Sequence, residues 1–139
     1  MNNEFLVSLI VSLFFPIGLG LVRFFRVRKR NRKTIEKINA DAIRGDAVAQ
    51  NNLGYIYQSG TGVKYGFRVN NKIAVYWFKM SAEQGNAYAQ FNLFYCYRNG
   101  VSVERNDVIA LEWLEKSANQ GFPKAQSMLK ELKAKERRA

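Results

Sequence analysis

The 139-residue chain contains no histidine, one cysteine and only two prolines. Without histidine it lacks the commonest general base and the commonest metal ligand, so neither a Ser-His-Asp nor a Cys-His site can be assembled from this chain. A single cysteine, Cys96, closes no internal disulfide and makes no zinc site by itself, and such a chain has no need of an oxidising compartment. Cys96 lies within an apolar helical run and reads as a small core residue rather than a reactive thiol. There is no phosphate-binding glycine loop. Glu112 and Glu115 stand three apart on a helix with Lys116 four after Glu112, which reads as a solvated face with an ordinary ion pair and not as an acid–base pair. No catalytic residue, metal ligand or cofactor site is therefore assigned, and the chain reads as a binding protein and not an enzyme.

What is present is enough apolar material, 47%, for a packed core, together with a formal net charge of +11. The charge is unevenly placed. Residues 1–40 hold eight basic and two acidic residues, and residues 41–139 hold fourteen and nine. The eighteen residues 5–22 carry no charge at all. As a helix they would rise about 27 Å, close to the ~30 Å hydrocarbon core of a bilayer. Pro16, Gly18 and Gly20 fall inside this stretch, where a membrane helix tolerates them better than a soluble one. Arg23, Arg26, Arg28, Lys29, Arg30, Arg32 and Lys33 follow at once. The positive-inside rule then sets a single-pass anchor with everything after it in the cytoplasm, at the inner membrane if the protein is bacterial. The same seven residues are candidate contacts for anionic lipid headgroups, at roughly 1 kcal/mol each. A cleaved signal peptide is disfavoured by the missing basic n-region and the missing Ala-x-Ala-like site. A buried core helix is disfavoured by the sharp charge boundary, and Pro16 leaves a kinked or re-entrant segment as an alternative. Charge concentrated beside an apolar span favours a lipid surface over nucleic acid, for which no motif is visible.

The remainder repeats itself. Gly45, Gly85 and Gly121 each open a similar segment, and Ala49-Gln50, Ala89-Gln90 and Ala125-Gln126 recur behind them. Ala74, Trp77 and Ala82 are matched by Ala110, Trp113 and Ala118. Ala49, Leu53 and Tyr57 make one apolar stripe at helical spacing, and Ala74, Trp77, Phe78 and Ala82 make another. Glycines at 45, 85 and 121 end the second helices, and Gly60 and Gly100 end the first. The expectation is an all-α, short α-solenoid of helix-turn-helix repeats preceded by one transmembrane helix. Its parts are an anchor at 1–26, a polybasic linker at 27–33, a repeat domain at 34–134 and a basic tail at 135–139. Within the domain the repeats run 45–84 and 85–120, with half-repeats at 34–44 and 121–134 covering the two ends. Thr34 is expected at the N-cap or first turn of the first of six soluble helices.

The pattern resembles the Sel-1-like repeat (SLR) family, relatives of tetratricopeptide repeats. The resemblance rests on Ala-x-Ala-Gln-x-x-Leu-Gly-x-x-Tyr-x-x-Gly from Ala47, the Gly60-Thr61-Gly62-Val63 turn, and Ala74-x-x-Trp77-x-x-x-Ser81-Ala82-Glu83-Gln84-Gly85. It implies a right-handed solenoid whose concave face binds other proteins, and many bacterial members are adaptors in signalling or envelope processes. Phe94 departs from the pattern where Gly54 obeys it, and the first repeat carries four extra residues within 64–71. The cysteine pairs of the disulfide-bonded branch are absent, in keeping with a cytoplasmic domain.

Candidate partner-binding residues follow from helical spacing. Opposite Leu53 lie Val48, Asn51, Asn52 and Tyr55, and opposite Leu93 lie Tyr88, Phe91, Asn92 and Tyr95. Tyrosine offers rigid contact area and asparagine offers hydrogen bonds. Packing against the neighbouring repeat is the competing role for these aromatics, and a structural hydrogen bond for Asn52 and Asn92. Tyr65 and Phe67, between Lys64 and Arg68, either reach a partner or fold back over the repeat edge. The leading function is a membrane-tethered adaptor or scaffold for a protein partner. The alternatives are an immunity protein that neutralises a secreted toxin by binding it, and an accessory subunit acting through its span.

Overall fold

Asp and Asn mark where the helices begin. In the computed structural model, which describes Val27 and residues 29–138, six α-helices and one 3-10 turn are present. A helix covers 29–43 (α1). It is followed by α2 (Ala47–Ser59), a 3-10 turn (Val63–Tyr65), α3 (Asn71–Glu83), α4 (Ala87–Asn99), α5 (Asp107–Asn119) and α6 (Pro123–Glu136). The side chains of Asp46, Asn70, Asn86 and Asn106 each accept a hydrogen bond from the backbone N–H three residues on, at Ala49, Ile73, Ala89 and Ile109. Phe122 holds the corresponding place before α6 and makes no cap bond. Pro123 follows it at the first helical position, where no N–H is needed. Gly60 and Gly100 end α2 and α4 in the left-handed conformation, at φ 72° and 67°.

The chain divides into two compact units, 1–36 and 37–139. In the first, residues 29–36 are helical, so the residues expected as a linker after 28 lie in a helix. Thr34 is inside that helix and not at its cap: its hydroxyl donates to the Arg30 carbonyl at 3.0 Å. Lysine and arginine are good helix formers, and residues 29–33 contain no proline or glycine to stop the helix there. The expected span at 5–22 lies outside the described residues, as do Arg23, Arg26 and Arg28. Among the described residues no helix is long and apolar enough to cross a membrane.

In the second unit the helices stack in chain order, and the core is divided into layers. Ala42 packs with Ala49 and Leu53. Ala74, Val75, Phe78 and Ala82 pack with Ala89, Leu93 and Cys96. Phe91 and Phe94 pack with Ala110, Leu114, Ala118 and Ala125. Each layer joins a second helix to the first helix that follows or precedes it. Polar bonds fix the register between layers. Buried Gln50 donates to the Ala42 carbonyl at 3.2 Å and accepts from Gln84 at 2.7 Å. Gln90 repeats this with Ala82 and Gln120, at 3.3 and 2.7 Å. Ser81 and Ser117, both fully buried, donate to the Ala47 and Ala87 carbonyls at 2.6 and 2.7 Å.

The two departures from the repeat pattern have local explanations. A Cβ built on Gly54 would lie 2.7 Å from the Phe78 ring, so the glycine makes room for a large residue on α3. In the next repeat the sizes are exchanged, with Phe94 on α4 in one cluster with the smaller Leu114 on α5. The four extra residues form the 3-10 turn and a bulge that leaves the helices in place. The Asn70 N–H reaches the Tyr57 carbonyl at 2.9 Å just as the Asn106 N–H reaches that of Tyr97.

Gly→Ala in a helix interior ordinarily stabilises by up to about 1 kcal/mol. Gly54→Ala is expected to do the opposite, costing roughly 1–3 kcal/mol by overpacking against Phe78. Adding Phe78→Leu should make the glycine substitution tolerable. Urea unfolding of the two single variants and the double variant reads the coupling.

Candidate functional site

The first helices α2, α4 and α6 share one face by repeat position. On α2 it carries Val48, Asn52 and Tyr55, all exposed, the apolar Val48 at 60% and Tyr55 at 54%. On α4 it carries Tyr88 at 60% and Tyr95 at 39%. Of the remaining candidates, Asn51 and Asn92 are half-buried and bonded to each other, Asn92 Nδ2 donating to Asn51 Oδ1 at 3.0 Å. That bond ties α2 to α4 and occupies part of their polar capacity. Phe91 is buried in the layer between α4 and α5, its ring 5.0 Å from Tyr95 and 5.2 Å from Phe122. It supports Tyr95 from behind, with only its edge left to the groove beside α6. Tyr88 packs on Phe122 at 4.6 Å. Phe122 thus replaces a helix cap with aromatic packing beneath this face.

A groove of about 610 Å³ runs between α4 and α6, lined by Phe91 and Tyr95 on one side and by Lys124, Ser127, Met128 and Glu131 on the other. These four α6 residues stand at the repeat positions of Tyr88, Phe91, Asn92 and Tyr95. They were missed as candidates, and carrying the repeat spacing into the last helix would have found them. Glu131 is bonded to Lys135 at 2.7 Å, which, chiefly through that hydrogen bond, holds its carboxyl below the ordinary range. The groove therefore offers an apolar aromatic wall and a wall with both signs of charge.

The inserted loop turns inward. Phe67 packs edge-on against Tyr57 at 5.6 Å, and a Cβ on Gly62 would come within 2.7 Å of it. Tyr65 is half-buried with its hydroxyl buried and without a hydrogen-bond partner among the described residues. Lys29, Arg30, Arg32 and Lys33 are exposed, with Arg32 paired to Glu36 at 2.8 Å. The expected Glu112–Lys116 pair is not formed: the Lys116 ammonium lies 4.2 Å from the centre of the Trp113 ring instead.

The Sel1 repeat family model matches residues 47–86 and 87–122. The chain belongs to the Sel1 repeat family. Solved Sel1 repeat structures are similar over the same region. A Sel1 repeat protein from Oxalobacter formigenes is 33% identical, with a TM-score of 0.62 over 70% of either chain. A protective antigen of uropathogenic Escherichia coli that displays an SLR fold is 33% identical, with a TM-score of 0.66 over 73% of this chain and 21% of its own. Among curated proteins none matches. Sel1 repeats suggest a protein–protein interaction scaffold. Among the described residues no cluster of metal-ligating side chains occurs.

Cys96 is fully buried, and burial pushes its thiol up to about 11 from 9.0. From about pH 9 upward the unfolded Sel1 chain releases the thiol proton while the folded chain keeps it until about 11. Stability attributable to Cys96 is therefore full below pH 9 and falls as pH rises through that window. A thiol reagent at neutral pH should label Cys96 slowly in the folded protein and at once in denaturant, read by mass spectrometry. Rapid labelling of the folded protein would contradict the buried placement.

Proposed function

We propose that this Sel1 repeat protein is a membrane-tethered scaffold that binds a protein partner along the shared face of α2, α4 and α6. The observation that carries the reading is the row of large side chains left in water there: Val48, Tyr55, Tyr88 and Tyr95. Each stands on a helix whose opposite side is fully buried, so the helix could form equally well with polar residues in their place. Tyrosines on a rigid scaffold lose little entropy when they bind. Asn52 adds a hydrogen-bonding group, and the α4–α6 groove offers a recess for a partner's apolar side chain.

The tether is residues 5–22, with the basic residues 23–33 on the cytoplasmic leaflet. Anchoring raises the effective concentration of the scaffold toward any partner already at the membrane. A bacterial inner membrane suits the bacterial sources of the similar structures. The repeat unit requires no disulfide, in keeping with the cytoplasmic side.

Photoreactive residues at positions 55 and 95 of the intact protein, in its native membrane, are expected to capture one dominant protein. The pair Tyr55→Ala plus Tyr95→Ala should abolish that capture while moving the unfolding midpoint little, because both side chains are substantially exposed. Capture of lipid alone would rule out the protein-binding face. Capture of periplasmic proteins would reverse the orientation.

A further inference from the structure

The two repeats carry their charge differently. Residues 47–82 contain Lys64, Arg68, Lys72 and Lys79 and no acidic residue, whereas residues 83–118, an equal length, contain five acids and three bases. Apolar side chains are left in water within the acid-free stretch. On α3, Ile73, Tyr76 and Met80 fall within about 60° of one another around the helix axis. They lie on the side away from buried Val75, Phe78 and Ala82. Tyr76 is 54% exposed, and Val69, just ahead of the helix, is 57% exposed. The fold does not ask for these side chains. At the same repeat positions α5 and the segment before it carry Arg105, Glu112 and Lys116 in place of Val69, Tyr76 and Met80. α5 nevertheless packs on α4 as α3 packs on α2.

Lys64, Arg68 and Lys72 are exposed and form no ion pair among the described residues. Lys79 is half-buried, its ammonium 5.7 Å from the centre of the Tyr97 ring, and is committed there. The free cations thus gather at the start of α3 and in the turn before it, interleaved with exposed Val63, Val69 and Ile73. Glu83, one turn past Met80, and Glu112 on α5 mark the limits of this surface. Rings and methyl groups edged by unpaired cations suit the boundary of an anionic bilayer. The apolar groups enter among the acyl chains while Lys and Arg stay with the headgroups. We propose that this side of α3, with the turn before it, docks on the anionic leaflet beside which the chain is anchored. The proposal rests on the tether at 5–22, which supplies the leaflet. The basic residues 23–33 have the same sign, so one leaflet serves both, and that favours lipid over an acidic protein as the occupant. This surface is distinct from the face of Tyr55 and Tyr95, which α2 and α4 carry.

The test uses the full 139-residue chain with the polarity-sensitive fluorophore NBD attached to Tyr76→Cys. The chain is reconstituted into vesicles of phosphatidylcholine alone, or of phosphatidylcholine and phosphatidylserine in equal parts. Cys96 is buried and stays unlabelled in the folded protein at neutral pH. The same label on Glu112→Cys, the matching position of α5, is the reference. Emission from position 76 should move to the blue in the mixed vesicles and not in phosphatidylcholine alone, and position 112 should stay unmoved in both. Arg68→Glu plus Lys72→Glu, both exposed, should abolish the shift while the chain still floats with the vesicles and keeps its circular dichroism. A chain that floats with the vesicles but shows no shift at 76 overturns the docking and leaves the tether standing. A chain that floats with neither vesicle overturns both. An equal shift at 112, or a shift that survives the double substitution, assigns the effect to mere nearness of the bilayer and overturns the docking. So does a shift in phosphatidylcholine alone that grows with protein density, which assigns the surface to a second copy. A shift seen in native membranes but in neither vesicle assigns it to a protein partner instead.

Discussion

A primary amide buried among apolar helices costs free energy unless both its ends find partners. Gln50 and Gln90 meet that demand in one way only: each donates to a carbonyl of the preceding second helix and accepts from the glutamine just past the end of its own repeat's second helix. Three helices are thereby brought to one point, and Ser81 and Ser117 pin the same junctions a turn away. Apolar stripes alone would let helices slide or rotate at modest cost, since cores tolerate repacking. The amides leave no such freedom, so the stacking of the unit 37–139 rests on them. The small alanines around them, Ala42, Ala49, Ala82 and Ala89, let the backbones come close enough for the bonds to form.

With register fixed this way, side-chain volume can vary from layer to layer provided each layer stays full. The exchange of Gly54 and Phe78 for Phe94 and Leu114 is the clearest instance. The loop between helices varies as well. Its two ends are held by the Tyr57–Asn70 and Tyr97–Asn106 backbone bonds, so four residues enter the first repeat without disturbing the stack. The outer faces of the first helices carry no such constraint. Val48, Tyr55, Tyr88 and Tyr95 are left exposed there.

Most of the repeat architecture was legible in the sequence, because glycine stops and the Ala-Gln pairs are local signals recurring within one chain. Phe94 was visible as a departure, but its partner was not, since the compensating Leu114 lies in a different helix. The start of α1 was misjudged at Thr34 because a threonine serves as readily inside a helix, bonded back to Arg30, as at its cap. Within the candidate site, spacing grouped residues of one helix face but could not tell its exposed members from its buried ones. Phe91 falls just far enough around α4 to be buried, and Asn51 and Asn92 meet across helices forty-one residues apart in sequence. Phe67 required knowing that Gly62 leaves room for it. Each of these depends on a tertiary contact that no periodicity encodes.

The central claim is that the buried glutamines, not the apolar stripes, set the stacking. Equilibrium urea unfolding of Gln90→Leu tests it most directly. Leucine is apolar and of similar bulk, so a stack held by hydrophobic contact alone would be unharmed or stabilised. If the amide is the junction, its loss removes one of the bonds to the buried Ala82 carbonyl and the acceptor of the Gln120 amide, and stability should fall by roughly 1–3 kcal/mol for the two hydrogen bonds together. An unchanged or raised unfolding free energy would contradict the account.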